Sequence, residues 1–213
     1  MQKLLLLTSA LLLARLSQEL IHAAPFHNHP PPPTKINAAR MRGTQTERGF
    51  RIGGGSYQTP DGTWHSAKSM TFNAVRLIIK DEGKEAVFTA ATLRQFEIRR
   101  DTFIVLSNLP GEPQNARPKF LESAFYQRGT RVLAWPSGPK MRPRFFLQRP
   151  QMSMVLVANR KEDFKKTMLA IVAGCPALVA SITDGRLGPE DVPVIMQQYD
   201  VCQFGNPAAD KSK

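Results

Sequence analysis

Alternating hydrophobic and polar residues run through the middle of the chain and predict short β-strands. From Val75 to Lys80, apolar side chains occupy every second position and can form one buried face. The run from Phe103 to Leu106 is apolar throughout, as in a strand covered on both faces. Arg128-Gly129 indicates a tight turn between two further strands. Residues 50–157 are therefore predicted to form an antiparallel β meander that curls into a sandwich or open barrel.

The hydrophobic period then changes to that of an α-helix. One apolar stripe follows helical spacing at Phe164, Met168, Ile171, Val172 and Cys175. Asn159 is the expected N-cap of this helix. Pro176 is expected to begin a second helix that ends at Gly185, and a third is expected to begin near Pro189 or Asp191. A C-terminal cluster of about three helices makes the predicted fold class α+β.

The N-terminus has the layout of a secretory signal peptide. Lys3 precedes an apolar run from Leu4 to Ala14, which is too short to span a bilayer as a helix, and a polar stretch then leads to Ala23. No later segment is long and apolar enough to be a transmembrane helix. The sequence thus predicts an exported protein, either periplasmic or extracellular.

The chain is predicted to contain one folded domain between two disordered segments. The Pro-rich, basic lead-in has no apolar periodicity to bury, and the tail is polar. The predicted ranges are a signal peptide (1–23), a disordered lead-in (24–49), a single α+β domain (50–204; β-rich 50–157, helical 159–204) and a disordered tail (205–213).

The two cysteines, Cys175 and Cys202, lie 27 residues apart, each on the apolar stripe of its helix. Both sulfurs are expected to point into one small core, and in an exported chain this predicts a disulfide. The alternatives are two buried free thiols, or a redox or metal pair. The spacing differs from CxxC, and no histidine is close to either cysteine in sequence.

The net charge of +12 and the pI near 10.2 favour anionic partners. Basic residues concentrate between 117 and 149, and the candidate binding residues there are Arg128, Arg131, Arg142 and Arg144. The expected partner is an acidic polysaccharide, a lipid headgroup or another envelope protein, whereas specific nucleic-acid binding is not expected of an exported protein. The alternative is that these charges only keep sheet edges soluble.

No catalytic, metal or cofactor site is predicted. His65 follows an apparent turn and is explained by a surface position. Gly53-Gly54-Gly55 lacks the residues of a phosphate-binding loop and is interpreted as a flexible turn. His27-Asn28-His29 supplies only two metal ligands. Asp101 and Glu122 are isolated acids at strand ends, the only candidates for a glycoside-hydrolase pair.

Several short motifs resemble those of uncharacterised exported proteins of Gram-negative bacteria. They are Gly62-Thr63-Trp64, Ala67-Lys68, Met70-Thr71-Phe72, Phe120-Leu121-Glu122, Gly129, Val132-Leu133, Cys175-Pro176 and Tyr199 to Cys202. The resemblance implies a signal peptide, a β-rich body and a helical end with two cysteines, but no activity. Our hypothesis is a non-enzymatic binding module. The alternatives are an envelope-polymer hydrolase and a carrier of a small apolar ligand.

Overall fold

A computed structural model of the chain describes residues 50–136 and 142–205, so the expected signal peptide, the lead-in and residues 206–213 lie outside it. Neighbouring strands pair antiparallel in one open sheet, in the order β10-β9-β8-β7-β6-β5-β1-β2-β3-β4. The predicted α+β class and antiparallel meander are confirmed. The strands are β1 (Phe50–Gln58), β2 (Trp64–Asn73), β3 (Arg76–Asp81), β4 (Lys84–Thr89), β5 (Gln95–Ile98), β6 (Asp101–Leu106), β7 (Lys119–Gln127), β8 (Thr130–Trp135), β9 (Arg144–Gln148) and β10 (Val155–Val157).

The part of the sheet formed by β1 to β6 is strongly curled. Residues 90–94 alone connect β4 to β5, although a flat sheet would hold these strands roughly 19 Å apart. Phe88 of β4 packs on Tyr57 of β1 with ring centroids 5.2 Å apart, across two intervening strands. The concave side, which carries Phe72, is named the inner face, and the side that carries Leu121 is named the outer face.

Aromatic side chains fill the inner face of the curl. Four phenylalanines are at most 2% exposed: Phe72, Phe96, Phe103 and Phe120. The rings of Phe72 and Phe96 each lie within 4.6–5.5 Å of the other three, measured between centroids. The predicted alternation in β3 is confirmed, because Leu77 and Ile79 are buried. The apolar run in β6 is also covered on both faces, since Phe103 packs inside and Ile104 packs in the outer cluster.

The helices cover the inner face of β7 to β10. They are α1 (Lys161–Val172), α2 (Pro176–Thr183), a 3-10 turn (Pro189–Asp191) and α3 (Val192–Phe204). The predicted stripe on α1 is buried at Phe164, Met168 and Val172, and Ile171 packs at its margin. Pro176 begins α2 as expected, and Gly185 follows its end with a positive φ of 73°.

The outer face of β6 to β10 has a smaller core of its own. Leu121, Leu133 and Phe146 are buried there beneath Leu109. Leu109 belongs to the segment 107–118 that connects β6 to β7, so this segment lies against the outer face.

Three local expectations were wrong. Gly53-Gly54-Gly55 lies inside β1, beside a register shift, and not in a turn. Glycine is required there because the backbones of β1 and β5 approach closely: a Cβ on Gly55 would lie 1.8 Å from the carbonyl oxygen of Glu97. Arg160, not Asn159, is the N-cap of α1, and its side chain makes no capping hydrogen bond. Val75 lies in a turn, because Oδ1 of Asn73 accepts the N–H groups of Val75 and the next residue.

Cys175 and Cys202 form the predicted disulfide, with Cα atoms 6.2 Å apart. The bond joins the residue before α2 to the last turn of α3. Cys175 is buried as expected, but Cys202 is exposed, so the disulfide lies at the rim of the helical core rather than inside it. Ile195 and Met196 of the same helix are buried, and Cys202 follows them in its last turn, beyond the buried part of the helix.

Candidate anion-binding face

One end of the outer face brings two cations and a carboxylate together. Lys119 begins β7 and Arg144 begins β9, while Glu112 approaches them from the segment 107–118. Nζ of Lys119 lies 2.5 Å from Oε2 of Glu112, and Nη1 of Arg144 donates to Oε1. The carboxylate is therefore bridged by both cations.

An indole ring supports this ion cluster. Trp135, the last residue of β8, pairs with Arg144, and its ring centroid lies 3.9 Å from Nζ of Lys119 and 5.3 Å from Cζ of Arg144. Hydrogen bonds from Lys119 and then from Arg144 hold the pKa of Glu112 below its ordinary value despite partial desolvation. The cluster is thus a preformed carboxylate site whose occupant is a side chain of the same protein.

Two more arginines lie next to this cluster along the chain. Arg117 precedes Lys119 by two residues, Arg142 precedes Arg144 by two, and both arginines are exposed. Arg117, Lys119, Arg142 and Arg144 are together named the basic end. Glu112 is the one acidic residue in the described parts of the segments that contain them, 107–119 and 142–148, so positive charge is in excess.

Arg131 lies on the same face as Arg144 but at its other end. It pairs with Tyr126 and Gln148, and its guanidinium is 5.1 Å from the Tyr126 ring. Trp135 is four residues further along β8, which places Arg131 about 13 Å from the basic end. Arg131 therefore lies outside the ion cluster of Glu112, Lys119 and Arg144.

Arg128 turns away from that face. It occupies the predicted turn between β7 and β8 with a positive φ of 47°, and its Nε lies 3.5 Å from Oδ1 of Asp200 in α3. Its guanidinium also lies 4.7 Å from the Phe204 ring. The structure therefore brings Arg142 and Arg144 to one end of the sheet, and directs Arg128 to the helices.

Asp200 is an unusual partner, because its side chain is buried at this contact. Oδ2 has no hydrogen-bond partner among the described residues. Burial raises the pKa of Asp200 above its ordinary value, and the attraction of Arg128 offsets this only in part. The contact holds α3 on the sheet at an electrostatic cost.

A second ion cluster lies on the inner face and joins three strands. Arg51 of β1 donates from Nε to Asp101 of β6 at 2.6 Å, and from Nη2 to both oxygens of Glu122 of β7 at 3.1 Å. The three side chains are only 11–15% exposed. Sequence reasoning named both acids but missed Arg51, because a long-range register puts β1 next to β5.

The chemistry of this inner cluster is that of a structural ion group. Burial lowers the pKa of Arg51, but attraction to Glu122 and Asp101, with their hydrogen bonds, outweighs it and raises that pKa. A guanidinium favours ionised carboxylates, whereas a glycosidase needs one protonated carboxyl as its acid. The two acids are therefore better explained as counterions of Arg51.

His65 has the surface position expected from the sequence. Its ring stacks on Tyr57 with centroids 5.0 Å apart and planes 20° apart, and the residue is exposed. Within residues 50–136 and 142–205, no group of three or more His, Cys, Asp or Glu side chains is arranged to hold a metal ion. His27-Asn28-His29 lies outside the described residues.

Comparison with known proteins does not assign the chain to a family. No family model, curated protein or solved structure matches the chain. The β-rich body and the helical C-terminal part with two cysteines, which the sequence resemblance implies, are present. No helix in the described part of the chain is long and apolar enough to cross a membrane.

Proposed function

We propose that the protein is an exported, non-enzymatic module that binds an anionic component of the cell envelope through the basic end. The observation that carries the proposal is the carboxylate of Glu112 held between Lys119 and Arg144 over Trp135. Groups that bind an internal carboxylate have the chemistry to bind an external one. The periplasm or the extracellular space is the proposed location, and the disulfide is compatible with both.

The proposed ligand is a carboxylate-bearing polysaccharide. Exposed Arg142 provides the first contact, and Arg144 lies at the edge of the internal site with its side chain 26% exposed. A polymer can cover several cations at once, so its binding should weaken steeply with added salt.

The test is retention of the full chain on a column of immobilised polygalacturonate, read as the salt concentration at elution. Arg142→Ala with Arg144→Ala should elute at clearly lower salt. The matched control is Lys161→Ala with Lys166→Ala, which removes two exposed charges from α1 and should shift elution much less.

A further variant separates loss of binding from loss of fold. Glu112→Gln removes the internal carboxylate, so it should elute at higher salt even though it weakens the contact with Lys119 and Arg144. Equal shifts in the two double variants, or no increase for Glu112→Gln, would contradict the proposed function.

A further inference from the structure

Exposed apolar side chains gather on the outer face of β1 to β4. The strand register places one row across these four strands at Ile52, Thr71, Ile78 and Val87. Phe50 lies two residues from Ile52 on the same face, and Phe50, Ile52 and Val87 are 48%, 51% and 51% exposed. Single exposed apolar residues are ordinary, but a continuous patch marks an interaction surface.

The turn between β2 and β3 carries another exposed apolar side chain, at the end of the sheet where β1 begins. Val75 is 67% exposed there, the highest value among the large apolar residues described. Asn73 pairs with Phe50 and fixes the turn through hydrogen bonds of 3.2 and 2.9 Å from the N–H groups of Val75 and Arg76. Phe50, Ile52 and Val75 are named the apolar tip.

Positive charge lies at the same end of the sheet as the apolar tip. Arg76 follows Val75 directly, and Arg99 and Arg100 form the exposed turn between β5 and β6. The ion pair of Arg51 with Asp101 holds that turn beside the start of β1.

The acids at this end of the sheet, Asp101 and Glu122, are paired with Arg51 on the inner face. Asp81 and Glu82 lie in the β3–β4 turn, at the far end of these strands. The chain enters β1 at Phe50, and the segment 24–49 that precedes it in sequence carries Lys35, Arg40, Arg42 and Arg48 against Glu47.

We propose that the apolar tip docks onto a lipid bilayer with anionic headgroups. Phe50 and Val75 would enter the interfacial layer, while Arg76, Arg99 and Arg100 contact phosphate groups. A second copy of the chain fits this surface poorly, because it would bring the same arginines face to face. The proposal uses no residue of the basic end and does not depend on the proposed function.

The experiment is co-sedimentation of the full chain with vesicles of phosphatidylcholine, with and without phosphatidylglycerol. Binding should require phosphatidylglycerol and decrease with salt. Phe50→Ser with Val75→Ser should lower the partition coefficient about tenfold, because two apolar side chains no longer enter the interface. Arg99→Gln with Arg100→Gln should lower it about fivefold for each charge.

Two controls test whether the loss of vesicle binding is specific to this surface. Met152→Ser removes an equally exposed apolar side chain elsewhere, and should leave partitioning unchanged. Phe50→Ser with Val75→Ser should also keep its unfolding midpoint, because both side chains are already exposed. Absence of vesicle binding, or partitioning that this double variant leaves unchanged, would overturn the inference.

The same variants distinguish the two proposals. Phe50→Ser with Val75→Ser should still be retained on polygalacturonate, and Arg142→Ala with Arg144→Ala should still bind vesicles. If the arginine pair at the basic end alone controlled vesicle binding, the apolar tip would not be the membrane site.

Discussion

Replacing Arg51 by methionine tests whether the inner ion cluster holds the sheet together. The substitution keeps an unbranched side chain of similar reach but leaves Asp101 and Glu122 buried without this counterion. Removing one partner of a buried ion group typically costs 3–5 kcal/mol. Since the three side chains keep 11–15% exposure, we expect the lower end, about 3 kcal/mol of unfolding free energy at pH 7.

The assay is urea unfolding followed by circular dichroism, with a matched surface pair for comparison. Arg186→Met breaks the ion pair with Asp184, whose side chains are 64% and 58% exposed, and should cost less than about 1 kcal/mol. Adding Asp101→Asn and Glu122→Gln to Arg51→Met removes the two carboxylate charges that Arg51 balances and should recover most of the loss.

The reasoning would be refuted if Arg51→Met cost no more than Arg186→Met. A triple variant that recovered no stability would refute it equally, because the loss would then come from packing and not from charge.

Three further predictions concern other contacts. Gly55→Ala should lower the unfolding free energy by more than about 3 kcal/mol or prevent folding, because the new Cβ would collide with the Glu97 carbonyl. In hydrogen exchange, the amides of β5 should lose their protection before those of the other strands. Reducing the disulfide should lower the unfolding free energy by about 3.5 kcal/mol, measured by urea titration with and without reductant. For Asp200, the folded-state pKa is raised, so the contribution of this residue to the unfolding free energy should increase as the pH falls through that pKa. Asp200→Asn removes this contribution, so the difference in stability between the variant and the wild type should change with pH in melts between pH 4 and pH 7.

Local patterns were sufficient to predict the element types. Alternation in β3 and the helical stripe from Phe164 to Cys175 each reflect one buried face, which the residues of a single segment determine. The disulfide followed in the same way, from apolar positions on two neighbouring helices. The exposure of Cys202 was not predicted, because the position of α3 on the sheet depends on tertiary packing.

Long-range pairing could not be predicted in this way. The side chains of Gln58 and Gln95 bond at 2.9 Å although 37 residues separate them, and this pairing puts β1 between β2 and β5. The inner ion cluster depends on it, since Arg51 meets partners 50 and 71 residues away. Neither residue spacing nor composition encodes such a register, so the four predicted arginines could not be divided between two faces either.

The central position of β1 also imposes an order on folding. Strands β1 to β4 can assemble from successive hairpins, but the second edge of β1 gains its partner only after β5 has emerged. Until then, an unpaired edge is available to any other chain, as in the early stages of many β-rich proteins. The three consecutive glycines on that edge have poor strand propensity, which weakens mistaken pairing while the chain is incomplete. The polypeptide therefore has time to pair β1 with its own β5.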